Sequence, residues 1–236
     1  MRSAALLRYD EYATRLGLDP QQMFARAGIA PAYLDDADLF LPYEQLVELL
    51  EDSARLSGNP LFGAELGLLQ GLDVLGPIAY LIRSSATVAD ALQGLARYFH
   101  LHNRGARIKI EVFGRTGIAS YEMRTSTSVP TRQAVELAVA IGYKLLRMLA
   151  GASLVIRECV FQHEPLADPA RSAWNWLPGG SPPVRAACSA TCSWRAPASR
   201  QCSTRCAARS RSTTCAIPAC SSPRSRSCSP TAISAT

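Results

Sequence analysis

No aspartate or glutamate follows Asp168, and no Leu, Phe, Tyr or Met follows Leu177. Residues 171–236 therefore hold nine Arg against no acid, a charge of +9, while residues 1–170 hold sixteen basic residues against nineteen acids, a charge of −3. The net charge of +6 averages two unlike stretches, so it is no argument for a nucleic-acid-binding protein. A segment so poor in large apolar side chains cannot offset the entropy of ordering its backbone, roughly 1–2 kcal/mol per residue. Disorder is the expectation for residues 169–236.

Seven of the eight cysteines lie in that tail, at 188, 192, 202, 206, 215, 220 and 228. No histidine accompanies them, and their spacing is wider than the usual zinc knuckle, which argues against a metal site. The start of the chain has no apolar core of a signal peptide, which argues against an oxidising compartment and a disulfide framework. An arginine arm on phosphate backbones is a third reading. The fourth, a shifted reading frame in a GC-rich gene, explains Arg, Ser, Pro, Ala, Cys and Thr together with the scarcity of Lys, Phe and Tyr. We adopt it, and the tail then carries no information about function.

The body, residues 1–168, lacks other things. Its single cysteine, Cys159, fits a reducing cytoplasm, and no run approaches the roughly 18 apolar residues of a membrane span. Gly-x-Ser-x-Gly, HExxH and phosphate-loop motifs are missing, so neither an enzyme nor a cofactor is expected. Of three histidines, His100 and His102 stand two apart at the end of a helix, where they do not share a face to hold a metal and where positive charge is favoured. His163 follows a strand and is expected at the surface.

What the body has is helical punctuation. Tyr9 to Leu16 and Gln21 to Ala27 form two helices around Gly17, Asp19 and Pro20. They resemble a DNA-reading helix-turn-helix superficially, but Met23, Phe24 and Ala27 mark the second as a packing helix. A longer one from Pro42 to Leu56 turns Leu46, Val47, Leu49, Leu50 and Ala54 inward and its acids outward. Short helices follow from Pro60 and over Ile78 to Arg83, then one capped by Thr87 from Val88 to about His100. Arg107 to Val112 and Ile118 to Arg124 alternate as a hairpin. A nearly all-apolar helix from Thr131 to about Gly151 reads as the central buried one, with Arg132, Glu136, Lys144 and Arg147 as its polar edge. Leu154 to Phe161 is a strand placed to join the hairpin. The class is α+β: a helix-rich domain with a small antiparallel sheet and a buried central helix, then a disordered tail.

Several segments occur in an order that resembles a known family. They are Leu16-Gly17-Leu18-Asp19, Ala27-Gly28-Ile29, Leu41-Pro42, Ser57 through Gly63, Glu65-Leu66-Gly67, Leu75 through Tyr80, Ser84 through Thr87, Ala91-Leu92 and Arg97-Tyr98. Over roughly residues 5–166 the chain is similar to the N-terminal, arabinose-binding-like effector domain of AraC-type transcriptional regulators. The resemblance implies a small-molecule effector, a homodimer, and DNA reading only by a C-terminal double helix-turn-helix of an intact form. No such module is readable after residue 166, so the chain is expected to be a sensor half truncated before its DNA-binding domain. A stand-alone module that binds ligand or forms blocking heterodimers is the alternative, and a small enzyme a more distant one. Tyr98, His102, Asn103, Glu122 and Arg124 cluster near the helix end and hairpin as candidate effector contacts. The competing reading is that they decorate exposed faces. No catalytic, DNA-binding or metal residue is assigned.

Overall fold

Local chemistry places the helices where the punctuation sets them. In the computed structural model, which describes residues 1–114, 116–124, 129–151, 155–163, 184–186 and 190–195, α1 spans Tyr9–Arg15 and α2 spans Pro20–Arg26. The Asp19 carboxylate accepts the backbone N–H of Gln21 at 3.0 Å, and Pro20 fills the first position, where no N–H is needed. Met23 and Phe24 are buried, so α2 spends its apolar face on the core. A single-turn helix the sequence does not announce, α3, covers Ala32–Asp35. The amphipathic α4 runs Tyr43–Ser57 and stops at Gly58, whose φ of +66° an L side chain rarely adopts.

Next come α5 (Phe62–Leu69), α6 (Pro77–Ser84) and α7 (Val88–Tyr98). The Thr87 hydroxyl accepts the Asp90 N–H at 3.0 Å, as its place before an apolar period implies. A 3-10 turn, Phe99–Leu101, ends α7 and delivers the chain into the hairpin of β1 (Ala106–Phe113) and β2 (Thr116–Met123). Then come α8 (Arg132–Ala150) and β3 (Val155–Phe161).

The sheet is larger than the sequence reading. β4 (Val184–Ala186) and β5 (Ala190–Arg195) join it, giving the order β1-β2-β5-β3-β4. β5 pairs antiparallel with both β2 and β3, and β4 runs parallel to β3. So β3 does not pair directly with the hairpin, and two short strands come from the stretch expected to be without structure. Backbone pairing explains the difference. The inner edges of β2 and β3 both present unpaired N–H and C=O groups, and a strand between them satisfies both whatever its side chains. The remaining tail lies outside the described residues.

Two apolar clusters form the core. One gathers α1, α2, α4 and Phe62; the other gathers α6, α7, the sheet and the far half of α8. α8 contributes Ala134 and Leu137 to the first and Val135, Leu145, Leu146 and Leu149 to the second, which makes it the central helix. The polar edge expected on it is partly wrong. Glu136 is 1% exposed, and Lys144 Nζ donates to the carbonyls of Leu68 and Gln70 at the end of α5. No helix among the described residues is long and apolar enough to cross a membrane.

Candidate functional site

The turn that ends α7 carries the chain inward. His102, the first residue past that turn, is 3% exposed, and its carbonyl accepts the Arg2 N–H at 2.8 Å. Its ring lies 5.7 Å from that of Phe99. Burial first, then the Arg2 guanidinium and the Met1 ammonium, push the imidazole down to about 3. It is therefore neutral at ordinary pH. The expectation that a helix C-terminus holds both histidines as partial cations is corrected for His102. His100 is exposed and sits 3.1 Å through Nδ1 from the Arg97 carbonyl.

Asn103 is fully buried. Its Nδ2 donates to the Tyr121 hydroxyl at 3.2 Å, and its Oδ1 accepts the Gly105 N–H at 2.8 Å. Tyr121 in turn shares a 2.8 Å hydrogen bond with Tyr43 at the start of α4. Burial raises both phenols, Tyr43 to about 12 and Tyr121 well above its ordinary value, so both stay neutral. One buried polar knot thus ties α4, the α7–β1 connection and β2 together. Asn103→Ala would strip a donor and an acceptor from buried partners and is expected to cost about 1–3 kcal/mol. Urea unfolding checks this; a loss below about 0.5 kcal/mol would mean the knot is not holding these elements.

The other three candidates fall elsewhere. Tyr98 is half-buried, with the Arg97 guanidinium 5.4 Å from its ring centre. Glu122 is opposite Arg107 in the hairpin register and accepts its Nε–H at 2.6 Å. Successive strand residues point to opposite faces, so Glu122 lies across the sheet from Tyr121. Arg124 is exposed, and only its backbone, donating to the Gly105 carbonyl at 2.8 Å, reaches the knot. His102 and Asn103 are brought together; Glu122 is not on their face.

A second buried polar cluster surrounds the first turn of α8. Glu136 Oε1 accepts Arg132 Nε–H at 3.0 Å and lies 3.3 Å from His163 Nε2, just past β3. His163 is thus turned inward and not left at the surface. Its ring stacks on Phe161 at 5.0 Å. From α4, Glu51 accepts the Gln133 N–H at 2.8 Å. Gln133 Oε1 accepts the Gly63 N–H at 2.8 Å, and its Nε2 donates to the Pro60 carbonyl at 3.0 Å. Burial pushes Glu136 up to about 7 and also raises Glu51. Among the described residues no group of three or more His, Cys, Asp or Glu is placed to hold a metal.

Residues 17–175, which hold α2 through β3 and most of both polar clusters, match the family described as the N-terminal arabinose-binding domain of AraC transcription regulators. The chain belongs to the AraC family. The HTH-type transcriptional regulator VirS of Mycobacterium tuberculosis is 30% identical over 173 residues, covering 72% of this chain and 51% of VirS. The ornithine utilization regulator of Pseudomonas aeruginosa is 26% identical over 177 residues, covering 68% and 51%. The AraC-type chain thus spans about half the length of the curated relatives it matches. The crystal structure of the transcriptional regulator CdpR from Pseudomonas aeruginosa shares the fold, with a TM-score of 0.51 at 18% identity over 75% of this chain and 53% of that one.

In this AraC-type domain, sequence reasoning missed the buried Tyr43, Tyr121, Gln133 and Glu136 and the half-buried Glu51. The alternation of β2 was the one usable signal. It puts Tyr121 on the face of Ala119 and Met123, and hence inside.

Proposed function

We propose that this chain is the effector-sensing and dimerising half of an AraC-type regulator, working in the cytoplasm, with DNA reading assigned to a module outside it. The match of residues 17–175 to the arabinose-binding domain carries the reading, because that domain is the regulator's N-terminal ligand-binding part. Met23 and Phe24 support the second clause: the helix that would have to read DNA keeps them in the core. For effector contacts we keep Tyr98, His102, Asn103, Glu122 and Arg124, with the buried pair as the part that would transmit a change to α4 and β2. A ligand acts by its different affinity for two arrangements of the domain.

Thermal unfolding of the full chain against a panel of sugars, amino acids, aromatic acids and fatty acids tests this. A ligand at a hundred times its Kd adds about 2.7 kcal/mol. That corresponds to a rise in Tm of roughly 5–10 °C for a domain of this size. Arg124→Gln and Glu122→Gln lie outside the core and should remove the shift without lowering the unliganded Tm if they touch the effector. A flat panel, together with operator-specific retardation of DNA at nanomolar chain, would defeat the reading.

A further inference from the structure

Glu136 is the one acid among the described residues that is buried, and its two oxygens live differently. Oε1 accepts from Arg132 and faces His163, whereas Oε2 has no hydrogen-bond partner. Among the described residues, the charged groups that face it are Arg132 from its own helix, His163 from the end of β3, and Glu51 from α4. On the α5 side, Gln133 accepts the Gly63 N–H and donates to the Pro60 carbonyl.

We propose that Glu136 is a proton-tightened clasp, holding the end of β3 against the first turn of α8 most firmly when Oε2 carries a proton. An ionised carboxylate with one bare oxygen is costly in a dry site, and a protonated one costs far less. Glu51 adds to the cost of ionisation, because its carboxylate is already committed to the Gln133 N–H and repels a second negative charge. Arg132 offsets part of this through Oε1, an interaction that survives protonation of Oε2.

The direction follows from linkage. When β3 swings away, Glu136 meets water and returns to its ordinary value of 4.5; when the clasp is shut its value is about 7. The shut form therefore binds the proton more tightly, and acidification favours it. The opening equilibrium falls up to tenfold for each pH unit lowered from about 7 to about 4.5, and is flat above 7. Since α8 supplies both core clusters, this point sets how firmly the sheet is held to the helices.

Hydrogen exchange of the full chain, corrected for the intrinsic effect of pH, reads the clasp at the amides of residues 159–163. In the wild type, protection should rise by about forty-fold in all from pH 7 to pH 5. Glu136→Gln, which is permanently neutral, should be protected at pH 7.5 as strongly as the wild type is at pH 5, and should be flat between them. Wild-type protection independent of pH, or a Glu136→Gln profile that parallels the wild type, would overturn the proposal. If Glu136→Gln fails to fold, a carbon-13 titration of the wild-type side chain decides the matter. A midpoint near 7 supports the clasp, and one in the ordinary carboxylate range overturns it. No effector enters either experiment, so the outcome is independent of the sensing role.

Discussion

Gly63→Ala should cost the domain about 3 kcal/mol or more, at or above the top of the usual overpacking range and a large share of a typical domain's stability. A Cβ on Gly63 would stand 2.0 Å from the Gln133 carbonyl oxygen, 2.7 Å from its carbon and 2.8 Å from its Cα. All three are backbone atoms in the first turn of α8, so no flexible side chain can step aside. One turn along, a Cβ on Gly67 would meet the Leu137 oxygen at 2.6 Å and the Ala140 Cβ at 2.9 Å. The two glycines share a face of α5 and let two helix backbones touch. To admit a methyl group, α5 would have to withdraw, break the Gly63–Gln133 hydrogen bond and open a gap between the clusters on either side of it. Gly142→Ala in α8 is the control. Nothing lies within 4 Å of its Cβ position, and a helix-interior alanine there should gain about 0.5–1 kcal/mol. Urea midpoints for the two variants should move in opposite directions. A Gly63→Ala loss under about 1 kcal/mol would mean the helices are not this close.

That contact shows where sequence reading ends. Gly63 and Gly67 are visible as residues, but nothing in the sequence says that α8, seventy positions away, lies across them. What is legible depends on neighbours in the chain. Asp19, Thr87 and Gly58 set helix ends by bonds or dihedrals spanning only a few residues, and those ends fall where expected. The alternation of β1 and β2 is local in the same sense, and the hairpin register follows from it. β5 was not legible, because its position is decided by the unmet edges of two strands already in place.

The polar sites divide in the same way. Asn103 and His102 stand out as polar residues at a helix end, but their burial depends on Tyr121 and Arg2, brought in from elsewhere in the chain. Tyr43 and Tyr121, 78 positions apart, meet only once the sheet docks on α4. Glu136 looks like a solvent-facing residue by helical period alone. It is buried because α8 is enclosed on several sides, by α4, α5 and the end of β3, so that no edge of its first turns is left for solvent. A period identifies one apolar face; it cannot announce that the opposite face is covered too.

Phe62→Ala should be nearly as damaging, at about 3–5 kcal/mol, and for a different reason. The Phe62 ring is 0% exposed and lies 4.8 Å from the ring of Tyr12 and 5.9 Å from that of Tyr9, which itself packs 5.0 Å from Phe24. Cavity cost depends on whether neighbours can collapse into the space. Here they are pinned. The Tyr9 hydroxyl is 2.7 Å from Ser53 Oγ, while the Tyr12 hydroxyl donates to Glu65 and accepts from Asn59 Nδ2 at 3.0 Å. Moving either ring inward would break a buried or half-buried hydrogen bond, so the void should persist and the loss should sit near the top of the range. Phe62→Leu keeps most of the volume and should cost roughly 1–1.5 kcal/mol. Releasing one pin tests the account directly. In a Tyr9→Phe background, Phe62→Ala should cost measurably less, because the freed ring can lean into the gap, and a double-mutant cycle on urea midpoints reads the difference. Strict additivity would show that the tyrosine hydroxyls do not hold the cluster open. The loss should also appear as one cooperative transition, since α5 and α8 join this cluster to the one around the sheet.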